Sequence, residues 1–364
     1  MNEPEPFSQN IARLRQDPQH AARQAAATGQ RVVGYVGNDV PVALILASGA
    51  LPVRLRGEPD ADSSRADEFV ESSFAPQVRA IAAQWLRGAL DHLHSVVFAR
   101  SDDSGQRLYY YLCELQRRGL CAGPRPLLYD AASLARDTSF EHTLESTRLL
   151  AAQLDAAALA LVPAIERVKQ REELLAAVQA RRLLPAPLPG SAAWECVSAA
   201  ACDWRTSFDE AARRWLDAAT LLAMPKRVIL AGDPPPDAQL HTAIEAAGAS
   251  VVLELTESTQ RTERNHRQPL AAIAADFHAR ESPALSMRRD ARWLADQALD
   301  HRADAVLVWL SEENEALPWE IARQMQALRA AGIPALSLAR QSWQIPAAVL
   351  AQIMHFVRSP GEFR

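Results

Sequence analysis

Short apolar runs alternate with longer amphipathic stretches along most of the chain. The runs are rich in Val, Ile and Leu and predict eight β-strands, at residues 31–36, 51–55, 94–99, 126–130, 227–231, 250–255, 304–309 and 333–339. Between them, stretches such as 75–91, 106–118 and 319–332 carry apolar residues at helical spacing. Because strands alternate with helices, the pattern predicts an α/β protein with mostly parallel sheets flanked by helices.

The strands fall into two groups of four, separated by a long stretch of different character. Residues 141–184 are dominated by Ala, Leu, Glu, Arg and Gln and predict one or two long helices, divided near Pro163. The run LPAPLPG at 184–190 is the clearest turn-rich linker. We therefore expect two lobes, each with its own sheet, joined by a helical and Pro-rich middle. The predicted domains are a helical lead-in at 1–30, a first lobe at 31–184, a linker and helix at 185–224, and a second lobe at 225–364.

Composition narrows the class of protein further. The 364 residues are 48% hydrophobic and 23% charged, which is typical of a globular chain, and the net charge of -5 predicts no nucleic-acid partner. The most apolar stretch, 40–53, contains two prolines and is shorter than the roughly 20 residues that span a bilayer, so no membrane partner is expected. Four cysteines without zinc or disulfide spacing favour a reducing, cytoplasmic setting.

Polar loops follow several of the predicted strands, and parallel sheets bind ligands beyond the carboxyl ends of their strands. The candidate residues for such a crevice are Asn38, Asp39, Asp103, Ser104, Ser311 and Glu315. One interpretation is that the acidic residues cap the helices that follow. Another is that carboxylates from these loops perform acid–base chemistry or bind a hard cation, and it rests on Asp39, Asp102, Asp103, Glu312, Glu313 and Glu315.

Several segments, in order along the chain, carry a resemblance to a known family. They include Gly34-Tyr35 with Val40-Pro41, the run ASGALPV at 47–53, and Asp103-Ser104 with Arg107-Leu108-Tyr109. The later segments are 227–234, then 282–283, 303–306, 319–324 and 331–334. Together they resemble the 2-hydroxyacyl-CoA dehydratase and benzoyl-CoA reductase family, and in particular a 2-hydroxyglutaryl-CoA dehydratase D-component, from about residue 31 to 340.

The resemblance implies a two-lobed subunit that pairs with a homologous subunit and holds a [4Fe-4S] cluster on three cysteines from strand-end loops. An ATP-dependent activator supplies the electron for chemistry on an acyl-CoA thioester. In this sequence the matching positions hold Gly37, Asp102 and Asn314, none of which is cysteine. The four real cysteines, at 113, 121, 196 and 202, do not follow a predicted strand, so we expect none of them at the crevice.

We therefore expect no cofactor and no metal, the family's cluster being lost, and an accessory, non-catalytic subunit of an acyl-CoA-handling complex. The expected partner is a homologous subunit in a heterodimer, or a second copy in a homodimer, with an acyl-CoA as a possible ligand. Two alternatives stay open. The chain acts as an active dehydratase subunit that relies on a cluster in its partner, or as an enzyme with carboxylate chemistry in the same crevice.

Overall fold

Two four-stranded parallel sheets organise the chain in the computed structural model. The structure describes residues 7–57, 62–132, 134, 136–184, 187–218, 226–256, 268–280 and 282–363. The first sheet contains β1 (Val32–Val36), β2 (Leu51–Arg54), β3 (Ser95–Ala99) and β4 (Arg125–Tyr129), and the second contains β5 (Lys226–Gly232), β6 (Ala249–Leu255), β7 (Ala305–Ser311) and β8 (Ala335–Gln341). All eight predicted strands are present, and the predicted α/β class is confirmed.

The helices of the first half frame the first sheet. They are α1 (Phe7–Gln16), α2 (His20–Ala27), α3 (Val42–Ala47), α4 (Ser64–Asp67), α5 (Pro76–Leu86), α6 (Asp103–Arg117), α7 (Asp137–Gln153) and α8 (Leu161–Arg182). The predicted division of the long helical stretch near Pro163 falls slightly earlier, at 154–160, with a short 3-10 turn at Ala158–Ala160. Pro163 lies in the first turn of α8, where its missing N–H leaves no helical bond unmade.

The remaining helices are α9 (Gly190–Cys202), α10 (Thr206–Ala218), α11 (Gln239–Ala246), α12 (Pro269–His278), α13 (Pro283–Arg289), α14 (Trp293–Asp300), α15 (Leu317–Ala330) and α16 (Ala347–Arg358). Residues 287–301 do not form one continuous helix but contain the end of α13 and the whole of α14. Asp290 adopts an extended conformation between them, with φ -130° and ψ 114°. Among the described residues no single helix is long and apolar enough to cross a membrane, and one bent pair, α7 with residues 158–182, passes that test only jointly.

The chain forms two compact units, each assembled from three separate stretches. The first unit comprises Met1–Leu174, Ser198–Arg214 and Gln260–Arg280, and the second comprises Leu175–Val197, Trp215–Thr259 and Glu281–Arg364. The domain boundaries predicted from the sequence remain a prediction.

Both sheets use the same strand order, β2-β1-β3-β4 in the first unit and β6-β5-β7-β8 in the second. In each, the chain moves outward from the first strand to the second and then crosses back to the third. The point where this direction reverses lies between the first and third strands, where open α/β sheets bind their ligands at the carboxyl ends. The topology therefore predicts one candidate ligand site in each unit, at the carboxyl ends of β1 and β3 in the first and of β5 and β7 in the second.

Apolar residues cover both faces of these sheets, which explains why the strands read as continuous apolar runs. In β5, Val228 and Leu230 pack with α11 and α16, while Ile229 and Ala231 pack with α13 to α15. The period of two along the strand sends alternate side chains to opposite cores. The carboxyl ends of the strands are therefore held on a rigid, two-sided core.

Candidate functional site

The first candidate position, Gly37, directly follows β1 in the first unit. Its φ is +86°, a conformation that glycine adopts at little cost and that side-chain-bearing residues rarely adopt. A Cβ atom at this position would lie 3.4 Å from the Cβ of Ala99 and 4.0 Å from the Cβ of Asp102. The fold thus brings positions 37 and 102 together at the β1–β3 end, although they are far apart in sequence.

Asp102 is the N-cap of α6. Its Oδ1 accepts a hydrogen bond from the backbone N–H of Gly105 at 3.0 Å, which satisfies one of the free donors of the first helical turn. Burial raises the pKa of this carboxyl above its ordinary value, the bond from Gly105 opposes that rise, and the charge of Asp103 adds to it. The helix-capping interpretation is confirmed for Asp102.

The neighbouring predicted residues have simpler environments. Asp103 begins α6 and is exposed. The hydroxyl of Ser104 accepts a hydrogen bond from the backbone N–H of Ala75 at 3.2 Å, which connects the start of α6 to the residue that precedes α5. Neither Asp103 nor Ser104 is therefore part of the group formed by Gly37 and Asp102.

Asn38 and Asp39 are fixed by an arginine that the sequence did not single out. Arg280, two residues beyond α12, donates from Nη1 to the backbone carbonyl of Asn38 at 2.9 Å and to Oδ1 of Asp39 at 2.6 Å. Its side chain is 5% exposed and its guanidinium lies 3.5 Å from the ring centre of Phe277. No local motif marks Arg280, since its partners are more than 240 residues away along the chain.

In the second unit, Asp233 ties the ends of β5 and β7 together. Its backbone N–H donates to the carbonyl of Trp309 at 2.8 Å, and its Oδ2 accepts from the N–H of Ser311 at 2.8 Å. The preceding Gly232 has φ +106°, and a Cβ there would lie 2.2 Å from the carbonyl oxygen of Trp309, so only glycine fits. The Gly-Asp pair after a predicted strand was the available signal for Asp233.

Asn314 completes this arrangement. Its Nδ2 donates to Oδ1 of Asp233 at 2.6 Å, and its Oδ1 accepts from the backbone N–H of Leu317, the first residue of α15, at 3.0 Å. Ser311, the last residue of β7, contributes its backbone rather than its hydroxyl to the bonds with Asp233. Glu315 is exposed and stands apart from them.

The six carboxylates of the acid–base hypothesis are not arranged as a reactive group within either unit. Asp103, Glu312, Glu313 and Glu315 are exposed. Asp39 is paired with Arg280, and Asp102 is a helix cap. Across the described ranges, no group of three or more His, Cys, Asp or Glu side chains is placed to hold a metal ion. These contacts favour structural roles for the acidic residues.

The four cysteines are free, and one of them contacts the end of a strand. Cys202 ends α9, and its thiol donates to the carbonyl of Arg54, the last residue of β2, at 3.8 Å. Cys202 thus contacts the end of the edge strand β2 because α9 returns to the sheet from a distant part of the chain, and the expectation that no cysteine lies at the crevice stays a prediction. Burial raises the pKa of this thiol, and also those of Cys113 and Cys121, which disfavours the thiolate form that binds iron.

The residues at the three family positions do not fit a [4Fe-4S] cluster. Gly37 has no ligand atom, Asp102 uses its carboxylate to cap α6, and the amide of Asn314 is bonded at both ends. Cluster iron is held by thiolate sulfur in most proteins. The polar groups at these positions are a carboxylate and an amide that already form hydrogen bonds with nearby backbone and side-chain groups.

Comparison with known proteins gives one match of wide extent. A family model described as 2-hydroxyglutaryl-CoA dehydratase, D-component, matches residues 38–356, which is most of the chain. A search of curated proteins found no match. The matched range contains Asn38, Asp102, Asp233, Arg280 and Asn314, and begins one residue after Gly37.

Proposed function

The chain belongs to the 2-hydroxyglutaryl-CoA dehydratase D-component family, and we propose that it is a cluster-free, accessory subunit of a complex that handles acyl-CoA thioesters. The observation that carries the proposal is the state of the three cluster positions. Three other residues stand where the family has cysteine thiolates. They are Gly37 with its positive φ, the helix cap Asp102, and Asn314, whose amide is hydrogen-bonded at both ends. The family's description as a component supports a partner subunit, and the free thiols support a reducing cytoplasm.

The backbone at Gly37 argues that the site has diverged beyond a single residue exchange. Cysteine in place of glycine at φ +86° would be strained by about 1–2 kcal/mol. Asp102 and Asn314 each accept a backbone N–H at the start of a helix, and Asn314 also donates to Asp233, which a thiolate has no hydrogen to do. The loops are thus stabilised in a form that does not depend on a cluster.

Anaerobic reconstitution with iron and sulfide tests the proposal directly. The purified full-length chain should take up no stoichiometric iron and show no thiolate-to-iron charge-transfer absorption. The matched control is a variant with all four cysteines changed to serine, which should bind the same background amount of iron. Uptake of about four irons per chain that the serine variant loses would overturn the proposal.

The remaining question is whether an activity resides in a partner. We infer that the chain's contribution to such a complex is binding and positioning rather than electron transfer. Affinity purification of the tagged chain under anaerobic conditions should recover a homologous subunit that carries the iron. Equal activity of that subunit with and without this chain would contradict the accessory role.

A further inference from the structure

A histidine–carboxylate pair with an adjoining arginine lies at the carboxyl end of β4 in the first unit. Nε2 of His142, on α7, is 3.2 Å from Oδ2 of Asp130, the residue that follows β4. Arg100, the residue that follows β3, donates from Nη1 to the same oxygen. Because one carboxylate oxygen contacts both groups, the imidazole and the guanidinium lie side by side. We call Arg100, Asp130 and His142 the strand-end triad.

The segment that carries the central carboxylate is fixed by α7 itself. The backbone N–H of Asp130 donates to Oγ of Ser146 at 3.0 Å, and the N–H of Ala132 donates to Oγ1 of Thr143 at 2.9 Å. These two side chains come from the same helix as His142. The imidazole and the carboxylate are therefore held in one rigid arrangement, which a reacting group requires.

The carboxylate determines which ring nitrogen of His142 accepts a proton. A carboxylate only accepts hydrogen bonds, so the contact with Asp130 places the proton of the neutral ring on Nε2. The lone pair then lies on Nδ1, which has no partner among the described residues. The side chain is 49% exposed, so Nδ1 is accessible to a ligand. Asp130 stabilises the imidazolium that forms when Nδ1 takes up a proton, as in other general bases of this kind.

Arg100 supplies the group that complements a base. Its guanidinium uses Nη1 on Asp130 and keeps its other N–H donors beside the imidazole, where no described residue accepts from them. Removal of a proton next to a carbonyl moves an electron pair to the carbonyl oxygen, and a neighbouring cation stabilises that charge. β4 is the neighbour of β3 in the sheet, so the triad lies on the same edge as Asp102 and the predicted ligand site.

We propose that the strand-end triad exchanges a proton at the α-carbon of an acyl-CoA thioester with solvent. The Cα–H bond breaks, the proton moves to Nδ1 of His142, and the electron pair forms an enolate whose oxygen accepts from Arg100. After the imidazolium has exchanged its proton with water, it returns one to the same carbon, which restores the thioester and the base. No oxidant, reductant or second substrate is consumed. The inference rests on the proposed function for its ligand, and adds proton transfer to the binding proposed there.

Deuterium incorporation into a thioester tests this step. Glutaryl-CoA incubated with the full-length chain in heavy water should gain deuterium at its α-carbon, measured by mass spectrometry. His142→Asn should lower the rate about 100-fold or more, the usual contribution of a general base. The matched control is His355→Asn, because Nε2 of His355 also lies 3.2 Å from a carboxylate oxygen, that of Glu362, but belongs to α16 of the second unit. It should keep the wild-type rate.

Equilibrium dialysis with glutaryl-CoA separates binding from proton transfer. His142→Asn should bind the thioester as tightly as wild type, so that its loss of exchange reports the base rather than the fold. A wild type that binds glutaryl-CoA without accelerating exchange, or equal exchange by wild type and His142→Asn, overturns the role of the triad and leaves the proposed function standing. A wild type that does not bind glutaryl-CoA overturns the ligand on which both proposals rest.

Discussion

At the scale of one residue, Asn314 occupies the position matched to the family's third cysteine and uses both ends of its amide. An amide carries both a donor and an acceptor, and Asn314 uses the first on Asp233 and the second on the N–H of Leu317. A thiolate would offer only an acceptor. The same side chain therefore joins two strand ends and starts α15, and the local stability depends on its amide chemistry.

Asn314→Asp should destabilise the protein by about 2 kcal/mol near pH 7, because it sets a second carboxylate against Asp233 and removes the donor between them. Urea unfolding measures this loss. Asn314→Ala is the control, since it removes the amide without adding a charge, and its loss should be smaller. An aspartate variant as stable as wild type near pH 7 would contradict the bonding at this site.

Asp102 gives a second residue-scale prediction, which concerns the dependence of stability on pH. Burial raises the pKa of the folded carboxyl above the ordinary value of 3.8, so its stabilising contribution is greatest below that value and is lost as the pH rises through the raised one. Asp102→Asn keeps an oxygen for the cap but does not titrate. From about pH 4 to about pH 7 the variant should gain stability relative to wild type.

Asp102→Ala separates the cap from the charge. It should be about 1 kcal/mol less stable than Asp102→Asn across that range, because the N–H of Gly105 loses its acceptor and neither variant titrates at this position. Chemical denaturation of wild type, Asp102→Asn and Asp102→Ala in parallel measures the free energy of unfolding of each across this pH range. A wild type that gains stability relative to Asp102→Asn with rising pH would show that the carboxylate is favoured in the folded state.

At the scale of elements, the end of α8 is fastened to the edge strand of the second sheet. The register of β6 against β5 shifts by one residue at Val252. The carbonyl of Val251 accepts from Arg182, and that of Val252 accepts from Gln179. Arg182 also contacts Glu254 at 2.9 Å, and His241 lies 3.0 Å from the same oxygen of Glu254. Side chains from a helix thus satisfy the strand where it bulges.

Glu254→Gln should destabilise the protein by about 3 kcal/mol near pH 7, because Arg182, only 5% exposed, would lose its counter-ion. Burial alone would raise the pKa of Glu254, but the charge of Arg182 and the bond from His241 lower it to about 2, from an ordinary 4.5. The stabilisation is therefore complete above about pH 4.5 and lost as the pH falls toward about 2.

The difference between wild type and Glu254→Gln should consequently disappear in acid, which thermal unfolding across this range will show. Glu362→Gln is the control, since Glu362 pairs with His355 at the surface and is 64% exposed. It should match wild type at every pH. An equal effect of both substitutions would contradict the special role of the buried carboxylate.

The elements themselves were predictable, while their long-range polar contacts were not. Continuous apolar runs identify β1 to β8 because both faces of each sheet are covered, so local sequence records the burial. The capping role of Asp102 could also be predicted from the sequence, because Asp102 directly precedes the helix that it caps. Arg280 and Asp39, or Cys202 and Arg54, meet only after the chain has folded, and no local pattern records which distant segment will return. Gly37, Asp102 and Asn314 were found through resemblance to a family rather than through periodicity.

At the scale of the whole molecule, two units repeat one strand order without a visible sequence repeat. In both, the first and third strands end side by side. Gly37 lies beside Asp102 at that place in one unit, and Asp233 accepts a hydrogen bond from Asn314 in the other. The shared strand order places a candidate site at the same point of each sheet, and the residues at that point determine its chemistry.

The distribution of thiols over the molecule gives the last prediction. Cys113 and Cys121 are half-buried, whereas Cys196 and Cys202 are buried. A thiol reagent must reach the sulfur atom, and Cys196 and Cys202 are buried, so the native chain should react at two thiols and the unfolded chain at all four. Titration with an aromatic disulfide before and after adding guanidinium counts them. Cys202→Ser should remove one slow thiol and no fast one. Four fast thiols in the native chain would show that α9 is not packed against β2, and would reopen the strand ends of the first unit to sulfur ligation.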